Sequence, residues 1–347
     1  MRRIETLIIL LALAFYAWFL RRFGLSQVLE YVRLIGWGLL FTIALEAVAR
    51  FANTLGWRVA IADCPAALGL GELFMARVAG EAIDYVTPSA QLGGQFVMAL
   101  TVRRKLTMAV GLATVIIASL AEAIGQIGFI SAALIAALPF AAHLHHRLLL
   151  PIIAGLLIAV ALAGGFFYVQ LRQPFSHLWK VAARFNVPQL ADPEVKAAAA
   201  EADAILVDFY ARQRGRFALS CLCYLLAWSM GPLEILIYLT LLHQPLNWTT
   251  PVLVEALGLL LERATFLIPG KLVSQEGGKA LILALLGYPA AIGFAIGFLR
   301  RLKELVWVLF GLGWLTLHRV VAEKQSLVTR RARRNLLKMR GAHEGDI

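Results

Sequence analysis

Apolar runs of about 18 residues or more recur along this chain, the length a helix needs to cross the hydrocarbon core of a bilayer. They predict full spans at 4–20, 34–57, 107–140, 148–170 and 217–243. The first, Ile4 to Leu20, follows Met1-Arg2-Arg3 and is closed by Arg21 and Arg22. A cleavable signal peptide would carry small residues there, so this run reads as a retained span. Residues 171–216 form the one sizeable polar segment. Within it, Asp192-Pro193-Glu194 predicts a helix start: an acceptor at the cap, Pro at the first helical position and an acid near the positive end of the dipole. Val195, Ala198, Ala202, Ile205 and Phe209 then recur at alternating spacings of three and four. That stripe is expected to pack on the membrane domain or on the lipid surface.

The stretches 68–105 and 251–320 break the pattern, with acids, Pro and paired Gly where a lipid-facing helix would carry Leu and Val. They also resemble each other. Glu81 precedes Pro88 by seven residues, as Glu262 precedes Pro269, and the pairs Gly93-Gly94 and Gly277-Gly278 follow five to nine residues after the Pro. Each is followed by a long apolar segment with charge in its middle: Glu122 in 107–140, and Arg300, Arg301, Lys303 and Glu304 in 289–320. By the order of spans the first element enters from one side of the membrane and the second from the other. The expectation is therefore a pair of inverted repeats, 68–140 and 251–320, each opening with a re-entrant helical hairpin broken at its Pro, the tips meeting near the midplane. Broken backbone at that depth is tolerated only inside protein or beside a polar cavity. The fold class is an all-α polytopic membrane protein with about six full spans plus two re-entrant hairpins. The alternative is eight full spans, which would place Arg300, Arg301 and Lys303 on the outer face. Residues 1–320 then form the membrane domain and 321–347 a basic tail.

Composition agrees, with 60% of the 347 residues apolar and 16% charged. The net charge of +12 is segregated: eight Lys or Arg lie beyond His318 and seven between Leu171 and Phe217, while none occurs from Leu106 to His146 or from Phe217 to Glu262. This is the positive-inside pattern. It places both termini and 171–216 in the cytoplasm of a bacterial cell, with 141–147 and 244–250 as outer loops; Arg21, Arg22 and Arg33 fall outside against the trend. The tail, with Arg330, Arg331, Arg333, Arg334, Lys338 and Arg340, is expected to face anionic headgroups. No recognition motif supports nucleic acid as a partner. Cys64, Cys221 and Cys223 have no ladder of spacings, and His143, His145 and His146 lack a spaced acid or Cys, so neither a disulfide framework nor a zinc site is specified. No cofactor is indicated. No nucleophile elbow or phosphate-binding loop occurs, so neither a hydrolase nor ATP-driven transport by this chain alone is expected.

A charge at the bilayer centre costs at least about 2.5 to 3.5 kcal/mol on insertion scales and persists where it pairs or lines a wet path. Glu46 and Arg50, at i and i+4, read as an intrahelical pair. Glu234 and Glu255 read as lying near a membrane face. Glu81, Glu122 with Gln126 one turn on, Glu262, Glu276, Arg300 and Arg301 stand in the repeated elements and are the candidate substrate-binding set. Gly93-Gly94 and Gly277-Gly278 either let backbone approach a headgroup or let helices pack closely.

At these residues the sequence resembles the flippase-like transmembrane family named after lysylphosphatidylglycerol synthase. The stretch Thr87-Pro88-Ser89-Ala90-Gln91-Leu92-Gly93-Gly94-Gln95 is most similar to the branch linked to hopanoid biosynthesis, as is 115–127. The second half matches in Phe266-Leu267-Ile268-Pro269-Gly270, Gln275-Glu276-Gly277-Gly278 and Arg300-Arg301. The likeness spans about 30–320 and adds Gln91, Gln95, Pro269 and Gln275 to the candidate set. Two positions depart from it: Gln95 stands where an acid is expected, and Ala118-Ser119 replaces an acid, leaving Glu122 one turn later. The resemblance implies a lipid-translocating module without the soluble transferase domain of the aminoacyl-lipid synthases, acting on a polar or hopanoid-type lipid with an anionic or zwitterionic headgroup. Two other classes stay open: an assembly factor that scaffolds lipid-synthesis enzymes through 171–216 and the tail, and an intramembrane transferase using Glu122 or Glu276 as base.

Overall fold

A computed structural model describes residues 25–62, 68–87, 92–137, 193–264 and 274–343, with separate positions between 153 and 180. Among the described residues every regular element is a helix. These are α1 (Leu25–Ile35), α2 (Gly38–Ala60), α3 (Leu70–Val86), α4 (Leu92–Val102), α5 (Met108–Ala137), α6 (Pro193–Arg212), α7 (Arg214–Trp228), α8 (Met230–Leu241), α9 (Thr249–Ala264), α10 (Ser274–Leu285) and α11 (Ala290–His343). Among the described residues three stretches are long and apolar enough to cross a membrane: Gly38–Ala60, Met108–Ala136 and Arg214–Leu241. The expected spans 4–20 and 148–170, the outer loop 141–147, and Pro88, Gln91 and Pro269 lie outside the described residues or largely so.

Helix boundaries follow local chemistry. The span expected at 34–57 is found as α2, Gly38–Ala60, and starts later than expected because α1 stops at Ile35 and Gly36 takes a positive φ of 44° before α2 begins. That conformation suits a residue without a Cβ. The α2 helix ends near Ala60, where Arg216 of α7 donates to the carbonyls of Val59 at 3.0 Å and Ile61 at 2.7 Å. A cation at a helix C-terminus satisfies carbonyls with no intrahelical partner. The start foreseen at Asp192-Pro193 is found, since α6 opens on Pro193. Its stripe packs inward: Ala202 and Phe209 are buried and Ala198 and Ile205 partly so against Trp57 and the first half of α5, with Leu206 beside the stripe buried as well.

Two apolar clusters mark opposite ends of α2. One joins the end of α2 (Trp57, Ala60, Ile61), the start of α3 (Leu73, Ala76), the end of α4 (Met98, Val102), the start of α5 (Ala109, Ala113) and Tyr224 of α7. The other joins Ile35 beside the start of α2, the end of α8 (Ile235, Tyr238, Leu239), Val254 in α9, the end of α10 (Ile282, Leu283) and the start of α11 (Ile292, Ile296). Thus α3 begins, and α4 ends, in one cluster, while α9 begins and α10 ends in the other. With 11 and 12 residues, α4 and α10 are about 16 and 18 Å long, short of the roughly 30 Å hydrocarbon core. The partner packing is reciprocal. The long helix of each half leans on the first arm of the other: α5 on α9, and α11 on α3.

Candidate functional site

Between the two clusters the helices carry charge where their apolar faces would otherwise meet. Arg77 of α3 donates to Glu122 of α5 at 2.9 Å and to the Tyr224 hydroxyl at 3.1 Å, and it pairs with Glu81 at 2.8 Å one turn along its own helix. Glu81 in turn holds Arg50 of α2, and Arg50 reaches Glu46 at 3.2 Å. Glu46 accepts from Lys303 of α11 at 2.8 Å, and Lys303 lies 2.9 Å from Glu234 of α8. Arg300 of α11 then spans Glu234 at 2.8 Å and Glu255 of α9 at 2.9 Å. Read in order, Glu122, Arg77, Glu81, Arg50, Glu46, Lys303, Glu234, Arg300 and Glu255 alternate in sign. They form one continuous ladder from the first half to the second. Desolvating so many ions is offset only by this mutual pairing.

Beside the ladder, Arg301 joins α3 to α10. Its guanidinium pairs with Glu276 in the first turn of α10, one bond of 3.0 Å reaching Oε2, and donates to the Tyr85 hydroxyl in the last turn of α3 at 3.3 Å. Glu276 is fully buried. On the next turn of α11, Glu304 accepts from the Gln275 amide at 3.0 Å. Lys279, on the same face of α10 as Gln275, is 2% exposed and has no hydrogen-bond or ion-pair partner among the described residues.

The Gly pairs serve close packing. A Cβ on Gly94 would run into the Asp84 carboxylate and the Gly80 carbonyl. The Gly94 amide already donates to Asp84 Oδ1 at 2.7 Å, so that carboxylate caps α4 from α3. In the second half, a Cβ on Gly278 would lie 2.6 Å from the Leu261 side chain, and one on Gly297 of α11 would lie 2.6 Å from Glu276 Cα. Small residues of this kind let membrane helices approach backbone to backbone. Gln95, standing where an acid was expected, donates to Ser119 at 2.9 Å, so the two departures from the family pattern meet each other.

The structure brings together Glu81, Glu122, Glu276, Arg300, Arg301, Gln275 and Gln95 around one junction. Gln126 is buried on α5, Glu262 is half-buried near the end of α9, and Gly93 opens α4. The Glu46–Arg50 pair is present and extends in both directions. Glu234 and Glu255, expected near a membrane face, are instead 3% and 4% exposed and are the partners of Arg300. Arg77 and Lys279 were not singled out at all. A lone cation inside an apolar run was the available signal for Arg77.

No curated protein and no solved structure matches the chain. Residues 6–313 match the family model described as lysylphosphatidylglycerol synthase TM region. With that match covering most of its length, the chain belongs to the lysylphosphatidylglycerol synthase TM region family, a family of membrane proteins.

Proposed function

We propose that this chain is a lipid flippase of the bacterial inner membrane, carrying a polar or hopanoid-type lipid between leaflets without ATP. The observation that carries the reading is Arg301, which ties the last turn of α3 to the first turn of α10 beside a continuous buried ladder of charge. In this reading α3–α4 and α9–α10 are re-entrant hairpins of opposite orientation. Each begins and ends in its own apolar cluster, and the reciprocal packing of α5 on α9 and α11 on α3 supports reading the halves as inverted repeats.

A headgroup crossing at the hairpin tips meets charges at every depth, while its acyl chains stay in lipid. Lys279 favours an anionic or zwitterionic headgroup, because a buried ammonium without a partner among the described residues is stabilised by an oxyanion. The transferase reading is less favoured: Glu122 and Glu276 each hold an arginine, so their carboxylates are already engaged in charge-assisted hydrogen bonds.

The test is the purified chain in liposomes with acyl-labelled lipids on one leaflet and a membrane-impermeant quencher. The expected result is movement that the Arg300→Gln, Arg301→Gln double variant loses while still inserting. Failure to move any lipid class, or full movement in the double variant, overturns the proposal.

A further inference from the structure

Gln275, in the first turn of α10, and Glu304 of α11 share one hydrogen bond, the amide Nε2 donating to Glu304 Oε1 at 3.0 Å. The other oxygen of each side chain is left over. Gln275 Oε1 and Glu304 Oε2 are both buried and have no hydrogen-bond partner among the described residues. Both are acceptors, and buried polar groups in native proteins are nearly always bonded. Neither atom is open to water, so what answers them must need no room of its own. Exchanging the amide O and N moves the gap without filling it, since the pair still holds three oxygens and one NH2. No cation answers Glu304 either. Arg50 of α2 feels its charge but is held by Glu46 and Glu81. Arg301 is held by Glu276, and Arg300 and Lys303 by Glu234. From α3, Arg77 is taken by Glu81 and Glu122, and Tyr85 by Arg301. Lys279 of α10 sits over Gly258 of α9, among Glu234, Glu255 and Glu262. The α1 helix meets α11 at its other end, in the cluster of Ile35, Ile292 and Ile296. Trp307 Nε1, one turn along α11, is itself without an acceptor and so does not reach the carboxyl.

We infer that Glu304 and Gln275 form a proton-binding site. A protonated carboxyl donates once and still accepts, as a primary amide does. With a proton on Oε2, Glu304 donates to Gln275 Oε1 while Gln275 Nε2 donates back, and one proton closes both open positions in an acid–amide ring. That ring locks the first turn of α10 to α11. Giving the proton to a water molecule as the helices part leaves a carboxylate facing a carbonyl oxygen, an arrangement that keeps them apart. Ionisable groups inside membrane helices are costly for stability and often belong to proton relays. Resting on the flippase reading, the proton is then coupled to the passage of a headgroup. The site lies where such coupling is effective: Glu276, the next residue after Gln275, holds Arg301, which ties α10 to α3.

The experiment uses the full chain in maltoside detergent, which has no carbonyl of its own, and reads infrared difference spectra between acidic and alkaline buffer. The wild type is expected to show a protonated-carboxyl stretch that Glu304→Gln lacks and that Gln275→Leu moves to higher frequency, as the acid loses its acceptor. Glu304→Gln puts an NH2 where the O–H stands and closes the same ring permanently, so its thermal unfolding midpoint should equal or exceed that of the wild type. In liposomes, an imposed pH gradient is expected to change the initial rate at which acyl-labelled phosphatidylethanolamine or phosphatidylglycerol changes leaflet severalfold in the wild type, and to leave Glu304→Gln unresponsive. The absence of a band assignable to Glu304, or a Glu304→Gln midpoint below the wild type, overturns the inference. So does lipid movement that ignores the gradient in the wild type, or a response undiminished in the variant. The transport reading fails separately: a Glu304 band in a protein that moves no lipid supports the proton site and overturns flipping.

Discussion

Glu234 is the residue on which most buried charge depends, because its two oxygens hold both Arg300 and Lys303 while its own side chain is 4% exposed. Removing one partner of a buried pair leaves the other uncompensated, at a cost of about 3 to 5 kcal/mol. Glu234→Gln should therefore lower stability by about that amount in reversible unfolding from mild detergent. Glu81 is more exposed, at 31%, and the cations it meets keep Glu46 and Glu122. Glu81→Gln is expected to cost about 1 kcal/mol, nearer the range of solvent-screened pairs. Adding Lys303→Met to Glu234→Gln should recover part of the loss, since the second change removes one stranded charge and the two sites are coupled. A double variant as unstable as the sum of its single changes would show that Lys303 and Glu234 do not act as a pair. The same residue shows where sequence reading stops. Hydropathy places an acid within a segment but does not say which helix lies opposite, so Glu234 and Glu255 were legible as charges in apolar runs and not as partners of Arg300. Arg77, the one cation of α3, is found only once Glu122 and Tyr224 are seen across from it.

At the scale of elements the sequence was more informative, because helix pairs are specified by local features. The shared Glu, Pro and Gly-pair spacing located α3–α4 and α9–α10 and set them apart from the ordinary spans. Asp192-Pro193 located the start of α6 for a local reason as well. The Gly pair was ambiguous in sequence, since headgroup binding and helix packing call for the same small residue, and only the Asp84 carboxylate over Gly94 separates the two. Packing makes a sharp contrast available. Gly94→Ala should destabilise the α3–α4 pair by about 2 kcal/mol, because the new methyl meets backbone of Gly80 and the capping carboxylate. Gly128→Ala, where the added carbon has only a Leu225 methyl at 3.8 Å, should be neutral or slightly stabilising. Thermal unfolding of both variants side by side checks this. Equal midpoints would mean that α4 shifts away from α3 freely and that the Gly94 contact does not hold the pair together.

Over the whole molecule, charge outside the apolar helices is expected to set how the protein sits in the membrane. The cations of α6 and the start of α7, including Lys196, Arg212, Arg214 and Arg216, gather at the end of the molecule where α2 finishes and α5 begins, since α6 buries Ala202, Leu206 and Phe209 there. At the opposite end, the connection from α8 to α9 carries His243, Gln244, Asn247 and Trp248 and no Lys or Arg. A cation-rich end is retained in the cytoplasm, and a Trp at a helix end suits the interface. Asn247 and Lys196 are both exposed and stand at these two ends. With Cys64, Cys221 and Cys223 replaced by Ser or Ala, Asn247→Cys should react with an impermeant maleimide added to whole cells. Lys196→Cys should react only after the membrane is opened. Arg33, exposed beside α8 at the cation-poor end, is the one described cation set against this orientation, so the labelling also decides whether a single arginine outweighs the clusters on α6 and α7. Reaction of Lys196→Cys in intact cells, with Asn247→Cys protected, would invert the molecule in the membrane. An inverted repeat of the kind proposed would allow that outcome on packing alone, because two halves of opposite orientation would leave the helix bundle nearly indifferent to which end faces inward. The distribution of Lys and Arg is what breaks the tie.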